Sequence, residues 1–123
     1  MNIEPFKVIL LGEDGVGKTS IILQFIEQTY REDIQLTTGG VFSIKYAECD
    51  NDKILKFEIW DTSGREKYHS ISTMYYKEAK AAILVYDITR ANTFKEIKNF
   101  WIKQLKEFAP ENIILIIAGK NPI

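Results

Sequence analysis

With 123 residues, the chain has room for one domain with a real core and not for two. An apolar fraction of 46% and an aromatic fraction of 12% exclude a disordered polymer. The near balance of 16 basic and 17 acidic residues, interspersed along the chain, excludes the clustered basic face of a nucleic-acid binder, and the single cysteine, Cys49, excludes an internal disulfide and points to a reduced compartment.

In chain order, residues 6–11 are a short apolar run with β-branched members, ending at Gly12, and predict a buried strand. Ile21, Ile22, Phe25 and Ile26 then fall at helical spacing within residues 18–27. Residues 41–48 and 54–60 predict two strands joined by the turn Asp50-Asn51-Asp52. The second alternates, with Leu55, Phe57 and Ile59 on one face and Lys56 and Glu58 on the other, as in a hairpin with one buried face. Residues 81–86, almost wholly apolar, predict a central strand covered on both faces. Phe94, Ile97, Trp101, Leu105 and Phe108 step by three or four and predict one apolar stripe on a helix. Thr93 and Glu96 read as its capping box and Pro110 as its stop. Residues 113–118 predict a fifth strand. Such alternation means a mostly parallel sheet with helices on both faces, and a ligand beyond the C-terminal ends of the strands.

Between the first strand and the first helix stands Gly12-Glu13-Asp14-Gly15-Val16-Gly17-Lys18-Thr19, which fits G-x-x-x-x-G-K-[ST]. Glycines let such a loop wrap with its N–H groups inward, and the helix N-terminus adds partial positive charge. Lys18 then reaches the outer phosphates and Thr19 offers a hydroxyl to Mg²⁺. At the end of the second hairpin strand, Trp60-Asp61-Thr62-Ser63-Gly64 supplies an acid for the Mg²⁺ shell and a glycine N–H for the γ-phosphate.

Four runs carry a resemblance: Gly-Val-Gly-Lys-Thr-Ser at 15–20, Phe-Glu-Ile-Trp-Asp-Thr at 57–62, His-Ser-Ile-Ser-Thr-Met-Tyr-Tyr at 69–76 and Val-Tyr-Asp-Ile-Thr at 85–89. Together they resemble the Rab GTPases, with the early-endosomal branch the nearest. The resemblance covers residues 6–119. It implies an α/β, Ras-like P-loop NTPase sheet with helices on both faces, a GTP-binding switch that hydrolyses GTP with Mg²⁺, and work in vesicle traffic at an endosomal or vesicle membrane. Glu13, Asp14, Gly15, Val16, Gly17, Lys18, Thr19, Ser20, Tyr30, Thr37 and Gly64 are the nucleotide-binding residues it implies. Thr19, Thr37 and Asp61 are its metal ligands. Thr37 lies seven residues after Tyr30, the aromatic that packs on guanine. Thr38 is the competing register, and the segment leading into the second strand also favours Thr37. Phe42, Trp60 and Tyr75 match the aromatic triad that Rab proteins present to effectors, and ordinary core aromatics have the same composition. His69, in the implied second switch, reads as a loop histidine rather than a catalytic one.

Three departures qualify this resemblance. Among the implied catalytic residues Lys18, Gly64 and Arg65, the last stands where the family has a glutamine that orients the attacking water; a guanidinium only donates hydrogen bonds, so weak hydrolysis is expected. Lys120, Asn121, Pro122 and Ile123 stand where Asn-Lys-x-Asp reads guanine, and the acid is missing. The chain stops where the family continues with another helix, a sixth strand and a final helix. The expectation is therefore a single truncated G domain over residues 1–123, lacking the last strand and helix, with an apolar sheet edge at residues 113–118 open to dimerisation. A non-catalytic or GTP-locked binding module is the alternative function. An adenine-nucleotide kinase ranks below both, because Trp-Asp-Thr-x-Gly is a GTPase pattern.

Residues 1–5 lack the basic and apolar regions of a signal peptide, Asn2 replaces the glycine that myristoylation needs, and no cysteine stands near Ile123 for prenylation. No run approaches the ~20 apolar residues of a membrane helix. The expectation is a cytoplasmic chain without a covalent membrane anchor.

Overall fold

The computed structural model describes residues 2–13, 16–18, 20–21, 24, 34–37, 40–62 and 73–121. Its centre is β1 (Asn2–Leu11), whose last residues Ile9 and Leu11 are fully buried. Successive residues on a strand point to opposite faces, so an apolar run without polar interruptions needs cover on both. Ile9 and Leu11 pack into one core cluster with Ala82, Leu84, Ile97, Trp101 and Leu105. Val8 and Leu10 pack into the other with Val16, Ile59, Ala81 and Val85.

Strands β2 (Ile34–Thr37), β3 (Gly40–Cys49), β4 (Lys53–Thr62), β5 (Ala81–Asp87) and β6 (Ile114–Lys120) complete a six-stranded sheet in the order β2-β3-β4-β1-β5-β6. β1 runs parallel to β4 and β5, β5 parallel to β6, and β3 antiparallel to β2 and β4. The turn between β3 and β4 has positive φ at Asn51 (65°) and Asp52 (57°), a region that short polar side chains tolerate. β5 is buried on both faces, as its composition predicts. β4 departs from clean alternation. Of its apolar residues only Ile59 is buried, while Leu55, Lys56, Phe57 and Glu58 are all half-buried. Lys56 and Glu58 lie 3.8 Å apart along one face.

The sheet has one strand more than the five predicted. β2 pairs with β3 from Ile34↔Ser43 to Thr37↔Gly40. Four residues carry too little periodicity to register as a strand, and pairing with an edge supplies what local pattern lacks. At the other edge, Ile114, Leu115, Ile116 and Ile117 are each about half exposed, so β6 shows apolar side chains on both faces.

After the short helix α1 (Thr73–Tyr76), residues 91–108 form one helix in three parts: α2 (Ala91–Glu96), a π-helical turn (Ile97–Trp101) and α3 (Ile102–Phe108). The π turn holds one more residue than an α turn and so rotates α3 relative to α2 about the helix axis. The buried line is Thr93, Ile97, Trp101 and Leu105, four residues apart at each step. Phe94 and Phe108, stripe members by α-helical spacing, are 51% and 38% exposed. They rest against Tyr86 and Tyr76 respectively, with ring centroids 4.8 and 5.7 Å apart.

The helix start also differs from the predicted capping box. Arg90 is the N-cap, without a side-chain cap. Thr93 lies inside the first turn, where its hydroxyl accepts the Asp87 N–H at 2.9 Å and reaches the Arg90 carbonyl at 2.8 Å. No helix among the described residues is long and apolar enough to cross a membrane.

Candidate functional site: a phosphate loop at the C-terminal edge of the sheet

The loop after β1 begins with a backbone that only glycine permits. Gly12 has φ +153°, and a Cβ there would collide with the Val85 carbonyl oxygen of β5. The Val16 N–H turns back to the Glu13 carbonyl (3.4 Å), and Val16 buries its side chain in the second core cluster. Gly17 has φ +99°. The Ile21 N–H then bonds to the Gly17 carbonyl at 3.2 Å, and Lys18, Ser20, Ile21 and Gln24 are helical, so the predicted helix begins where the motif requires it. Ser20 itself is exposed.

Lys18 folds back across the loop, with its ammonium 2.8 Å from the Gly12 carbonyl and only 4% of its surface exposed. Burying a cation is costly unless it has partners, so the loop closes around this charge. Asp61, 3% exposed, lies beside Leu10 in the β1–β4 register, next to the start of the loop. A buried ammonium suits a phosphate ligand and a buried carboxylate a hard divalent cation, and the two stand at the same end of the sheet.

The neighbouring strand ends converge on the same edge. The Thr37 backbone pairs with Gly40, and Gly40 pairs with Thr62, so β2 brings Thr37 to the edge that holds Asp61. At the end of β5 the Asp87 carboxylate accepts the Thr89 hydroxyl and N–H and the Arg90 Nε (3.1 Å). The Thr89 hydroxyl, then its N–H, then Arg90 hold the Asp87 carboxyl below the usual range. The stability from this turn is therefore present at neutral pH and fades as pH falls through that lowered value.

Two contacts here have no counterpart in the sequence pattern. Lys120, from the end of β6, lays its side chain across Gly17; a Cβ on Gly17 would stand 2.8 Å from Lys120 Cε and 3.4 Å from its ammonium. The Trp101 Nε1–H donates to the Glu13 carboxylate at 3.2 Å. A buried indole needs an acceptor, but nothing in the local sequence says which one. Asp14, Gly15, Thr19, Tyr30, Thr38, Gly64, Arg65 and His69 lie outside the described residues.

Phe42, Trp60 and Tyr75 are brought together. Phe42 stands opposite Trp60 across β3–β4 with centroids 4.7 Å apart, and Trp60 meets Tyr75 edge-on at 6.4 Å. All three are half-buried, so they are neither plain core nor plain surface. The Tyr75 hydroxyl lies 2.9 Å from the Leu10 carbonyl and 3.0 Å from that of Trp60, tying α1 to β1 and β4. Lys7 caps the row, 5.1 Å from the Trp60 ring centre.

A sequence model of the Ras family matches residues 7–122. The chain belongs to the Ras family. Within it, the chain is 46% identical over 121 residues to the Ras-related protein Rab-31 of Rattus norvegicus, and equally so to those of Mus musculus and Homo sapiens. Each match covers 98% of this chain and 61% of the relative, so the chain spans about three-fifths of the length of these proteins. The sheet, the loop after β1 and the buried Lys18 and Asp61 are thus those of a Ras-like P-loop fold.

Proposed function

We propose that this Ras-family chain is a guanine-nucleotide switch of the Rab type, acting in endosomal or vesicle traffic. The observation that carries the reading is the loop between Gly12 and Lys18, closed on a buried ammonium beside Asp61 at the C-terminal edge of the sheet. Backbone N–H groups of Glu13, Asp14, Gly15, Val16, Gly17, Thr19 and Ser20 serve the phosphates, with Lys18 on the outer ones. Tyr30 packs against the base. Asp61, Thr19 and Thr37 are the residues that would hold Mg²⁺, which supplies positive charge to the phosphate oxygens. Thr37 and Gly64 couple the γ-phosphate to the two switch segments, and the row of Phe42, Trp60 and Tyr75 offers effectors a surface ordered with them. β6, apolar on both faces, is the edge on which a second copy would pair.

Thr19→Asn is expected to remove most of the Mg²⁺-dependent part of GTP affinity, measured by titration with and without chelator. An unchanged Mg²⁺ dependence would overturn the metal assignment. Arg65 favours a second form of the same reading, a GTP-locked module, because its guanidinium accepts no hydrogen bond from an attacking water and so cannot orient it as a glutamine does. Arg65→Gln is expected to raise single-turnover hydrolysis by about 100-fold, the scale on which misplacing a reacting group by about 1 Å slows a reaction, because the amide oxygen can orient the attacking water. Equal rates in the two proteins would show that position 65 does not limit turnover.

The reading as a whole is tested by purifying the chain in Mg²⁺ buffer, denaturing it and identifying the released nucleotide by ion-exchange chromatography, with mass from light scattering. Near-stoichiometric GDP supports a working switch and GTP the locked form. A nucleotide-free protein overturns both, and a monomer mass removes the pairing role of β6.

A further inference from the structure

Two lysines reach the phosphate loop, and they come to it from different strands. Lys18 folds back across the loop itself, its ammonium 2.8 Å from the Gly12 carbonyl. Lys120 arrives from the end of β6, which lies two strand spacings from β1, about 10 Å. It leaves the sheet on the face of the second core cluster, because Ala118, two residues earlier, pairs with Val85 of that cluster. Its stem lies over Gly17, where a Cβ would stand 2.8 Å from Cε and 3.4 Å from the ammonium. Glycine at this position therefore admits the lysine as well as shaping the loop. Lys120 is half-buried, and among the described residues its side chain has no hydrogen-bond or ion-pair partner. A lysine ammonium carries three donors and no acceptor, and holding it partly out of water without a partner is costly. A ligand bound at the loop can supply the acceptor.

The order of the strand ends says which part of a nucleotide that is. Along this edge they run β4, β1, β5, β6, so Asp61 and Lys120 stand on opposite sides of the loop. A metal ion held by Asp61 bridges the outer phosphates and fixes them on the β4 side. The nucleoside then extends the other way, toward β5 and β6. At the end of β5 the Asp87 carboxylate is already taken by Thr89 and Arg90. At the end of β6 the Lys120 ammonium is not. We propose that Lys120 is the base-reading residue of the site: its ammonium, laid over Gly17, donates to the O6 and N7 acceptors on one edge of guanine. The proposal rests on the nucleotide reading above and gives it a source of specificity. Adenine places an amino donor beside N7, and an ammonium cannot accept from it. Lys120, Asn121, Pro122 and Ile123 include no acid, so this segment offers no carboxylate to the N1 and N2 donors of guanine. Hypoxanthine keeps O6 and N7 and lacks only the N2 amino group. Inosine nucleotides are therefore expected to bind as guanosine nucleotides do.

The experiment is calorimetric titration of the full chain with GDP, IDP, ADP and inorganic tripolyphosphate as separate probes. GDP is expected to bind about tenfold tighter than ADP, within the discrimination of a good two-point contact to a base edge. IDP is expected within about twofold of GDP. Lys120→Gln presents a donor and an acceptor, the pair that suits adenine N7 and N6. It is expected to weaken GDP about tenfold, leave ADP no weaker and so erase the preference. Lys120→Arg keeps a donor-only head group and is expected to keep the preference. A preference for GDP over ADP that survives in Lys120→Gln would overturn this inference and leave the nucleotide reading standing. Equal losses of GDP and tripolyphosphate affinity in that variant would assign the ammonium to the phosphates and overturn the base-reading role. GDP binding tenfold or more tighter than IDP would show that another group reads the N2 edge, and would overturn it as well. Failure of all three nucleotides to bind would sink the nucleotide reading, and this inference with it.

Discussion

Trp101→Ala is expected to remove a large share of the protein's folding stability at 25 °C. The side chain is fully buried at the centre of the cluster that joins β1 and β5 to the 91–108 helix, with Phe100 edge-on at 4.7 Å. Truncating a buried tryptophan removes its transfer free energy and leaves a cavity that the surrounding strands cannot close, a loss of about 3–5 kcal/mol. The whole stability of a domain this size is on the order of 5–15 kcal/mol, so the change consumes a large share of it. Trp101→Phe keeps most of the volume and is expected to lose less than half as much. Urea titration with circular dichroism detection reads both values. A loss below about 1 kcal/mol for the alanine variant would mean that the indole is not packed as described.

Trp101 also marks the limit of what the residues disclose by themselves. Its place on a buried helix face is written in the spacing from Ile97 to Leu105. The continuous apolar runs of β1 and β5 announce a covered parallel sheet in the same way, and the glycines before Lys18 announce the loop. Periodicity reports which face is buried under an assumed turn geometry. The π turn breaks that assumption, so α-helical spacing assigns Phe94 and Phe108 to the core while Thr93, a polar residue four steps before Ile97, takes a core position.

The contacts that complete the site are of another kind. Glu13 with Trp101 and Gly17 with Lys120 join residues far apart in sequence. Each depends on where two separate elements come to rest, which no local pattern encodes. β2 is a strand only because β3 offers it an edge. The match of the 57–62 run to one family places Asp61 at a strand end, where the structure has it beside Leu10, and hydropathy alone could not have done so.

The second large effect concerns the glycine that opens the loop. Gly12→Ala is expected to destabilise the protein by about 3 kcal/mol and to abolish measurable nucleotide binding. Two costs combine. A positive φ is unfavourable for an L residue by roughly 1–2 kcal/mol, and the new methyl would strike the Val85 carbonyl oxygen. That oxygen belongs to the backbone of β5, itself paired with β1 and β6, so it cannot move without disturbing two ladders. Gly17→Ala is the informative comparison. It shares a positive φ, but the atoms in its way are the Cδ and Cε of Lys120, the flexible part of a long side chain. Its stability cost is accordingly expected to be about half that of Gly12→Ala, because the lysine can swing aside. Thermal denaturation and GDP titration of the two variants separate the contributions. If Gly17→Ala proves as damaging to stability as Gly12→Ala, the strained φ dominates and the Val85 contact is secondary; if Gly12→Ala alone is severe, the close approach of β5 to the loop is what keeps the phosphate site in shape.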